Sequence, residues 1–222
     1  MILTRLIVVA ATGVILFAQT RFDMVVRNDL FAGMYGDAAA LQRGLATCEK
    51  ILAENPKHAE ALVWHGMGLL VQSRFEFEKN NPQGAVTLSQ KGIAEMDRAV
   101  ELEPNNLGVR IPRGAALRDA TQQMPPFMSE PLLERARTDF QYTFETQKDN
   151  LPTSEHPLGE LLQALGDIYS RQGKADEAGK YYGMIPERLP NTEYARRATE
   201  WMKTRQPLPQ AQSGCIGCHL VR

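Results

Sequence analysis

The chain has 222 residues, of which 43% are hydrophobic, and its 25 basic and 26 acidic side chains give a formal net charge of −1. This length and composition suffice for one sizeable globular domain or two small ones. The charges form no long run of one sign, so the sequence lacks the strongly basic face of a nucleic-acid-binding protein, and no nucleic-acid partner is expected.

The first residues have the pattern of an export signal. Arg5 precedes an unbroken run of apolar and small residues from 6 to 18, which is too short for a comfortable bilayer span. Ala18 suits the last position of a signal, but Leu16 is larger than a cleavage site prefers. Residues 1–22 are therefore predicted to be a signal peptide or a retained membrane anchor, with a buried N-terminal helix as the alternative. The remaining chain is expected in the bacterial periplasm or on the outer face of the membrane.

Helical periodicity runs through residues 36–206, and no stretch alternates between apolar and polar side chains as a strand does. The predicted fold class is therefore all-α. One helix-turn-helix unit in this stretch is well defined. Its characteristic residues are Leu165, Gly166, Tyr169, Ala178, Tyr182 and Pro190. These positions resemble the tetratricopeptide repeat (TPR), a helix-turn-helix unit of roughly 34 residues.

Two further copies and a half copy precede this unit. Residues 59–104 carry Gly66 and Gly92 at positions of close helix crossing, and Gly114 marks a third, weaker copy. An insertion around residues 75–90 includes a predicted loop or helix break in the first of these copies. Positions typical of the second helix of a half repeat are Gly44, Cys48, Ile51 and Pro56.

The resemblance implies a TPR-type helical solenoid of about three helix pairs over residues 36–206. In this family the first helices of the pairs line a concave groove that usually binds a peptide or protein segment. The groove positions implied here are Glu60, Val63, Met67, Ile111, Ala115, Arg118, Glu160, Gln163 and Asp167. A terminal helix at 192–205 that contains Trp201 is expected to cap the stack, since an end repeat must cover an apolar face.

Residues 207–222 are predicted to be an extended tail that ends in a Cys-x-x-Cys-His run. Cys215 and Cys218, followed directly by His219, have the order and spacing of covalent c-type haem attachment. Two thiols add to the vinyl groups of one haem, and the adjacent imidazole binds the iron as its proximal ligand. One covalent haem c is therefore the predicted cofactor.

Other uses of a Cys-x-x-Cys pair are a redox dithiol, a zinc site and a local disulfide. A zinc site needs four ligands, yet the only other cysteine is Cys48, which we expect to be an apolar filler on a helix. A redox dithiol is usually found beside a βαβ pattern, which this chain lacks. The sixth iron ligand is not determined by the sequence. Its candidates are His58, His65, His156 and the nine methionines.

Two expectations follow for the haem and for catalysis. Only Leu220, Val221 and Arg222 follow His219, so we expect the haem to dock onto the helical body, a second copy of the chain or a partner protein. No catalytic constellation is visible in the sequence. Acidic residues with the helical spacing of a solvated face are Glu130, Glu134 and Asp139.

The resemblance to c-type cytochromes and to TPR proteins implies an exported electron-transfer subunit. Its helical domain would dock it to a redox complex or to neighbouring cytochromes, so the expected partner is a redox protein or a cytochrome complex. Two further expectations are an oligomer of this chain that buries the haem, and membrane association through the N-terminal segment. The alternative is a periplasmic TPR adaptor or chaperone for protein assembly, such as cytochrome maturation, whose terminal cysteines form a dithiol or metal site.

Overall fold

The computed structural model of the protein describes residues 21–208, except residue 123. This part of the chain contains nine α-helices, one short 3-10 helix and no strand. The α-helices are α1 (Asp23–Met34), α2 (Ala38–Glu54), α3 (Ala59–Glu78), α4 (Pro82–Leu102), α5 (Leu107–Ala120), α6 (Pro126–Gln147), α7 (Glu155–Arg171), α8 (Ala175–Arg188) and α9 (Glu193–Thr204). The 3-10 helix covers Lys148–Asn150.

Two predicted segments fall outside these residues. The signal or anchor segment lies there up to residue 20, and so does the motif formed by Cys215, Cys218 and His219. None of the helices in the described part has the length and hydropathy of a membrane span.

Successive helices pack against each other as pairs, and the pairs stack. The pairs are α1–α2, α3–α4, α5–α6 and α7–α8, with α9 packed on α8. The first helices of the pairs also contact one another, because α3 packs against both α1 and α5, and α5 contacts α7. The predicted all-α, TPR-like helical repeat is therefore confirmed.

The prediction of about three helix pairs is wrong, since four pairs and a terminal helix are present among residues 21–208. The additional helix is α1, which lies in a stretch for which the sequence pattern predicts no element. Its buried residues are Val26, Leu30 and Gly33. Met24 and Val25 beside them are about half exposed, so the apolar residues of α1 do not form one clean stripe.

Short polar side chains that accept backbone hydrogen bonds begin α2, α4, α5 and α9. Asp37 accepts from the amide of Ala40, and Asn81 accepts from the amide of Gly84, each across the first turn of a helix. Pro82 occupies the first turn of α4, where its missing N–H leaves no hydrogen bond unmade. The predicted insertion therefore lengthens α3 and α4, and the break between them is confined to residues 79–81.

The crossing of α3 and α4 depends on two glycines. A Cβ atom at Gly66 would lie 2.5 Å from the carbonyl oxygen of Gly92 and 2.7 Å from Cγ of Met96. A Cβ atom at Gly92 would lie 2.5 Å from the carbonyl oxygen of Gly66. The two backbones are thus in direct contact, as predicted for these positions.

Replacing Gly66 with alanine should therefore lower the free energy of unfolding by about 1–3 kcal/mol, because the added methyl group overpacks a backbone contact. Gly183→Ala is the matched control: this glycine also lies inside a helix, and its Cβ position has nothing within 4 Å. The control should be neutral or stabilising, since alanine is the better helix former. Urea denaturation of both variants measures the difference, and equal stabilities would contradict the close crossing.

In the last helix pair, an aromatic ring approaches a glycine closely, as the backbones of α3 and α4 approach each other. Tyr182 of α8 is fully buried and its ring fills the space above Gly166 of α7, where a Cβ would lie 2.8 Å from the ring. Trp201 of α9 stacks on Tyr182 with ring centroids 4.7 Å apart, and its Nε1 donates to Oγ of Ser170 over 2.7 Å. Helix α9 therefore caps the stack, as predicted.

Candidate functional site: a concave groove

Helices α3, α5 and α7 line a concave cavity of about 490 Å³, which we call the groove. The predicted groove residues that line it are Met67, Arg118, Glu160, Gln163 and Asp167. The TPR-like expectation that the first helices of the pairs form the concave surface is confirmed by these five positions.

The other four predicted groove positions do not line this cavity. Val63 is fully buried in the hydrophobic core, and Ala115 packs against that core. Glu60 accepts a hydrogen bond from Nδ2 of Asn106 at 3.3 Å, and Ile111 is 40% exposed. The groove is therefore shorter than the row of repeat positions suggests.

One wall of the groove is apolar. Its residues come mainly from α3 and its neighbours in the stack: Met67, Leu70, Val71, Ile93 and Ala116, with Met34 and Met124 also lining the cavity. Met67 is only 5% exposed and belongs to the main hydrophobic core. This wall is a firm apolar surface, because its side chains are held by helix packing.

A second part of the groove lining, the polar wall, carries buried charge and includes Arg118 of α5. Nε of Arg118 donates to Oδ1 of Asp119 at 3.1 Å, and its Nη2 lies 3.8 Å from Oε2 of Glu160. Burial alone would lower the pKa of Arg118, but the neighbouring carboxylates outweigh it and raise the pKa. Arg118 therefore stays charged, and its buried Nη1 has no hydrogen-bond partner among the described residues.

Two α7 side chains complete the polar wall. Asp167 accepts a hydrogen bond from Oη of Tyr182, and burial raises the pKa of its carboxyl group, although the charge of Arg118 opposes this. Gln163 is 8% exposed, and its Oε1 finds no hydrogen-bond donor in the described part of the chain. Buried polar atoms usually have a partner, so these unpartnered atoms beside a cavity mark a place where a ligand can bind.

Arg171, near the end of α7, is a groove residue that the repeat pattern does not predict. Its Nη2 donates to the carbonyl oxygen and to Oγ1 of Thr121, at 2.8 and 3.1 Å, and its Nη1 donates to the carbonyl oxygen of Arg118 at 3.2 Å. These acceptors are all uncharged, and burial lowers the pKa of Arg171. The groove therefore contains a cation that is hydrogen-bonded only to neutral oxygens among the described residues.

The chain returns to the groove after the last helix. Pro207 and Leu208, the final described residues, line the same cavity, and Leu208 packs against the core. The predicted haem-binding residues Cys215, Cys218 and His219 lie outside the described residues, so their arrangement stays a prediction.

The three histidines considered as iron ligands are engaged elsewhere and do not line the groove. Nδ1 of His58 accepts from the amide of Ala61, which caps α3. Nδ1 of His65 lies 2.5 Å from Oε2 of Glu95, and Nδ1 of His156 lies 3.2 Å from Oη of Tyr194. Within residues 21–208, no group of three or more His, Cys, Asp or Glu side chains could hold a metal ion.

Cys48 is a buried residue of α2, as expected for an apolar filler. Burial and the charges of Glu49 and Glu95 raise the pKa of its thiol to about 12. Since the thiolate is the reactive form, Cys48 should stay unlabelled by thiol reagents in the native protein at neutral pH and react on unfolding. Mass spectrometry after labelling with and without denaturant checks this. Fast labelling of native Cys48 would contradict its burial.

The expectation that Asp139 belongs to a solvated face is wrong. Asp139 of α6 is fully buried. It accepts from Nε and Nη2 of Arg113 at 2.7 and 2.9 Å, and from Nη1 of Arg110 at 2.8 Å, both on α5. Helical spacing alone does not reveal this ion pair, because its arginines come from a different helix. Its role is to join α5, which carries Arg118 of the groove, to α6.

No protein-family model and no curated protein matches the chain. Among solved structures, a thermophilic TPR protein from Thermus thermophilus is 16% identical, with 80% of this chain and 98% of that chain covered and a TM-score of 0.36. The TPR-like fold is defined by the stacked helix pairs and by the close glycine crossings.

Proposed function

We propose that the protein is an exported c-type haem protein that acts as an electron-transfer subunit. One haem c would be held by thioether bonds to Cys215 and Cys218, with His219 as an axial ligand of the iron. The single observation that carries this proposal is the Cys-x-x-Cys-His run, because both the spacing of the thiols and the position of the histidine match the chemistry of attachment.

The cysteines and the histidine of the motif have different roles. The two cysteines fix the porphyrin to the chain, and the imidazole of His219 supplies a nitrogen ligand on one face of the iron. The haem, when bound, would supply reversible one-electron chemistry. In this proposal the chain is an electron carrier or a subunit of a complex rather than an enzyme on its own.

The helical-repeat body would serve as the docking domain. Repeat folds of stacked helix pairs present extended concave surfaces for binding other polypeptides. In this proposal the body binds a redox protein or a cytochrome complex and places the haem near its donor or acceptor. Export to the periplasm, or anchoring through residues 1–22, would bring the chain to the compartment where such complexes act.

A second candidate function is a periplasmic adaptor or chaperone for protein assembly. The observation that favours it is the groove, where Nη1 of Arg118 and Oε1 of Gln163 are buried without partners among the described residues and could bind a polypeptide backbone. In that case Cys215 and Cys218 would act as a dithiol or bind a metal ion, and no haem would be present.

The absorption spectrum of the reduced protein, purified from its native host, separates these functions. The haem protein should show a Soret band and the bands of a c-type haem, and both should disappear in the Cys215→Ala, Cys218→Ala double variant. Cys48→Ala is the matched control and should keep the spectrum, because Cys48 is buried in α2. A native protein without these bands would contradict the proposal.

Native thiol titration adds a second readout, since Cys48 should not react. The haem protein should show no reactive thiol, because both tail cysteines are thioethers. Two reactive thiols without a Soret band would support the adaptor, and a metal that chelators remove would support a zinc site.

A further inference from the structure

We infer that the tail folds back over its own helical body and seats the haem in the groove lined by α3, α5 and α7. This inference rests on the proposed function, because it needs a haem on Cys215 and Cys218. It goes beyond that function by assigning the binding site for the porphyrin to named residues of the same chain.

The first support for the inference is the position of the chain after α9. Leu208 lines the groove and packs against the core, so the tail starts inside the proposed site. Cys215 follows seven residues later, and seven residues span at most about 25 Å when fully extended. The haem is thus tethered within reach of the groove. A short tether also gives a high effective concentration, which favours this site over a separate molecule.

The size and apolar wall of the groove suit a porphyrin. Its volume of about 490 Å³ lies within the range of roughly 300–1,000 Å³ that is typical of ligand and cofactor sites. Met34, Leu70 and Ile93 line the groove, are partly buried and pack against the core, so they provide an apolar surface against which a large flat macrocycle can be removed from water. Leu208 would extend this surface from the tail itself.

The charges that line the groove have a formal excess of one positive charge, which favours the two carboxylates that a haem carries. The arginines are Arg74, Arg118, Arg171 and Arg197, and the carboxylates are Asp119, Glu160 and Asp167. Arg118 is 7% exposed, and its Nη1, unpartnered among the described residues, could donate to a propionate. Arg171 is hydrogen-bonded to neutral oxygens and would gain a charged partner. A hydrogen bond between a buried guanidinium and a carboxylate is stronger than one between neutral groups, so these arginines would orient the porphyrin edge.

Paramagnetic broadening in NMR spectra tests this placement on the whole protein. The ferric haem protein is compared with the haem-free Cys215→Ala, Cys218→Ala chain as the diamagnetic reference. We expect loss of the amide signals of Met67, Ala116 and Gln163 in the ferric protein. Amides of Lys50 on α2 and Lys180 on α8 are the internal controls and should persist, since neither helix contributes to the groove.

A mixing experiment distinguishes the chain's own tail from that of a second copy. Isotope-labelled haem-free chain is mixed with unlabelled haem protein, and the labelled groove amides should stay sharp. Their broadening would overturn the inference in favour of docking between copies. Sharp groove amides in the labelled haem protein itself would also overturn it, because the haem would then lie elsewhere. A protein that carries no haem would instead defeat the proposed function, and the absorption spectrum reports that outcome before the NMR experiment begins.

Discussion

Replacing Asp139 with alanine is expected to lower the free energy of unfolding by about 3–5 kcal/mol, because it removes the buried carboxylate that Arg110 and Arg113 share and leaves Arg113 with Asp97 alone. Asp139 is fully buried, and Arg113 is 7% exposed. Arg113 donates two hydrogen bonds to Asp139, and Arg110 donates a third. These contacts tie α5 to α6, so their loss should weaken the middle of the stack.

Urea denaturation followed by circular dichroism measures this change. Asp149→Ala is the matched control, since Asp149 is exposed in the 3-10 helix, and it should change stability little. Combining Asp139→Leu with Arg113→Met should recover part of the loss, because it also removes the more buried of the two arginines that lose their carboxylate, while Arg110 still loses its hydrogen bond to Asp139. If Asp139→Ala were as stable as the control, the buried ion pair would contribute nothing.

Replacing Trp201 with alanine is expected to destabilise the protein by about 3–5 kcal/mol, the range for deleting a fully buried large aromatic side chain. Trp201 is 0% exposed. It stacks on Tyr182, and its indole N–H donates to Ser170. The substitution would therefore open a cavity and leave the hydroxyl group of Ser170 without the indole donor.

The loss should be largest where α9 covers the preceding repeat. Hydrogen exchange should accelerate in α8 and α9 of the Trp201→Ala variant more than in α2, at the far end of the stack. Met202→Ala is the matched control on the same helix, because Met202 is 41% exposed and should matter little. Uniform exchange in all helices, or equal stability of the two variants, would show that α9 is not a cap.

Local packing rules were enough to predict the helical-repeat body. Gly66 and Gly166 mark places where a helix backbone or an aromatic ring comes close, and that requirement is visible in the spacing of small residues along one helix pair. Trp201 marks the terminal helix for a similar reason, since a large apolar side chain near the end of a repeat array must cover an exposed face.

Features that depend on contacts between separate helices could not be predicted in this way. Asp139 looks solvated within α6, because nothing in its own helix indicates that Arg110 and Arg113 of α5 reach it. Arg171 enters the groove through hydrogen bonds to the residue that follows α5. Helix α1 has only a short stripe of buried residues, so its place in the stack is seen from its packing against α2 and α3 and not from its sequence pattern.

Part of the candidate site could be predicted from the sequence and part could not. Met67, Arg118 and Gln163 could be placed in the groove from their repeat positions, whereas the return of Leu208 to that groove depends on the direction of the chain after α9. The attachment residues Cys215, Cys218 and His219 are known from the sequence alone, and their role stays a prediction.

The mass of the intact chain from its native host, measured under denaturing conditions, tests the haem assignment most directly. We predict the mass of the chain plus one haem, with the added mass on the proteolytic fragment that holds Cys215 and Cys218, because thioether bonds survive unfolding. A chain without added mass, with those cysteines as free thiols or joined to each other by a disulfide, would contradict the proposed electron-transfer function and leave a helical-repeat binding protein.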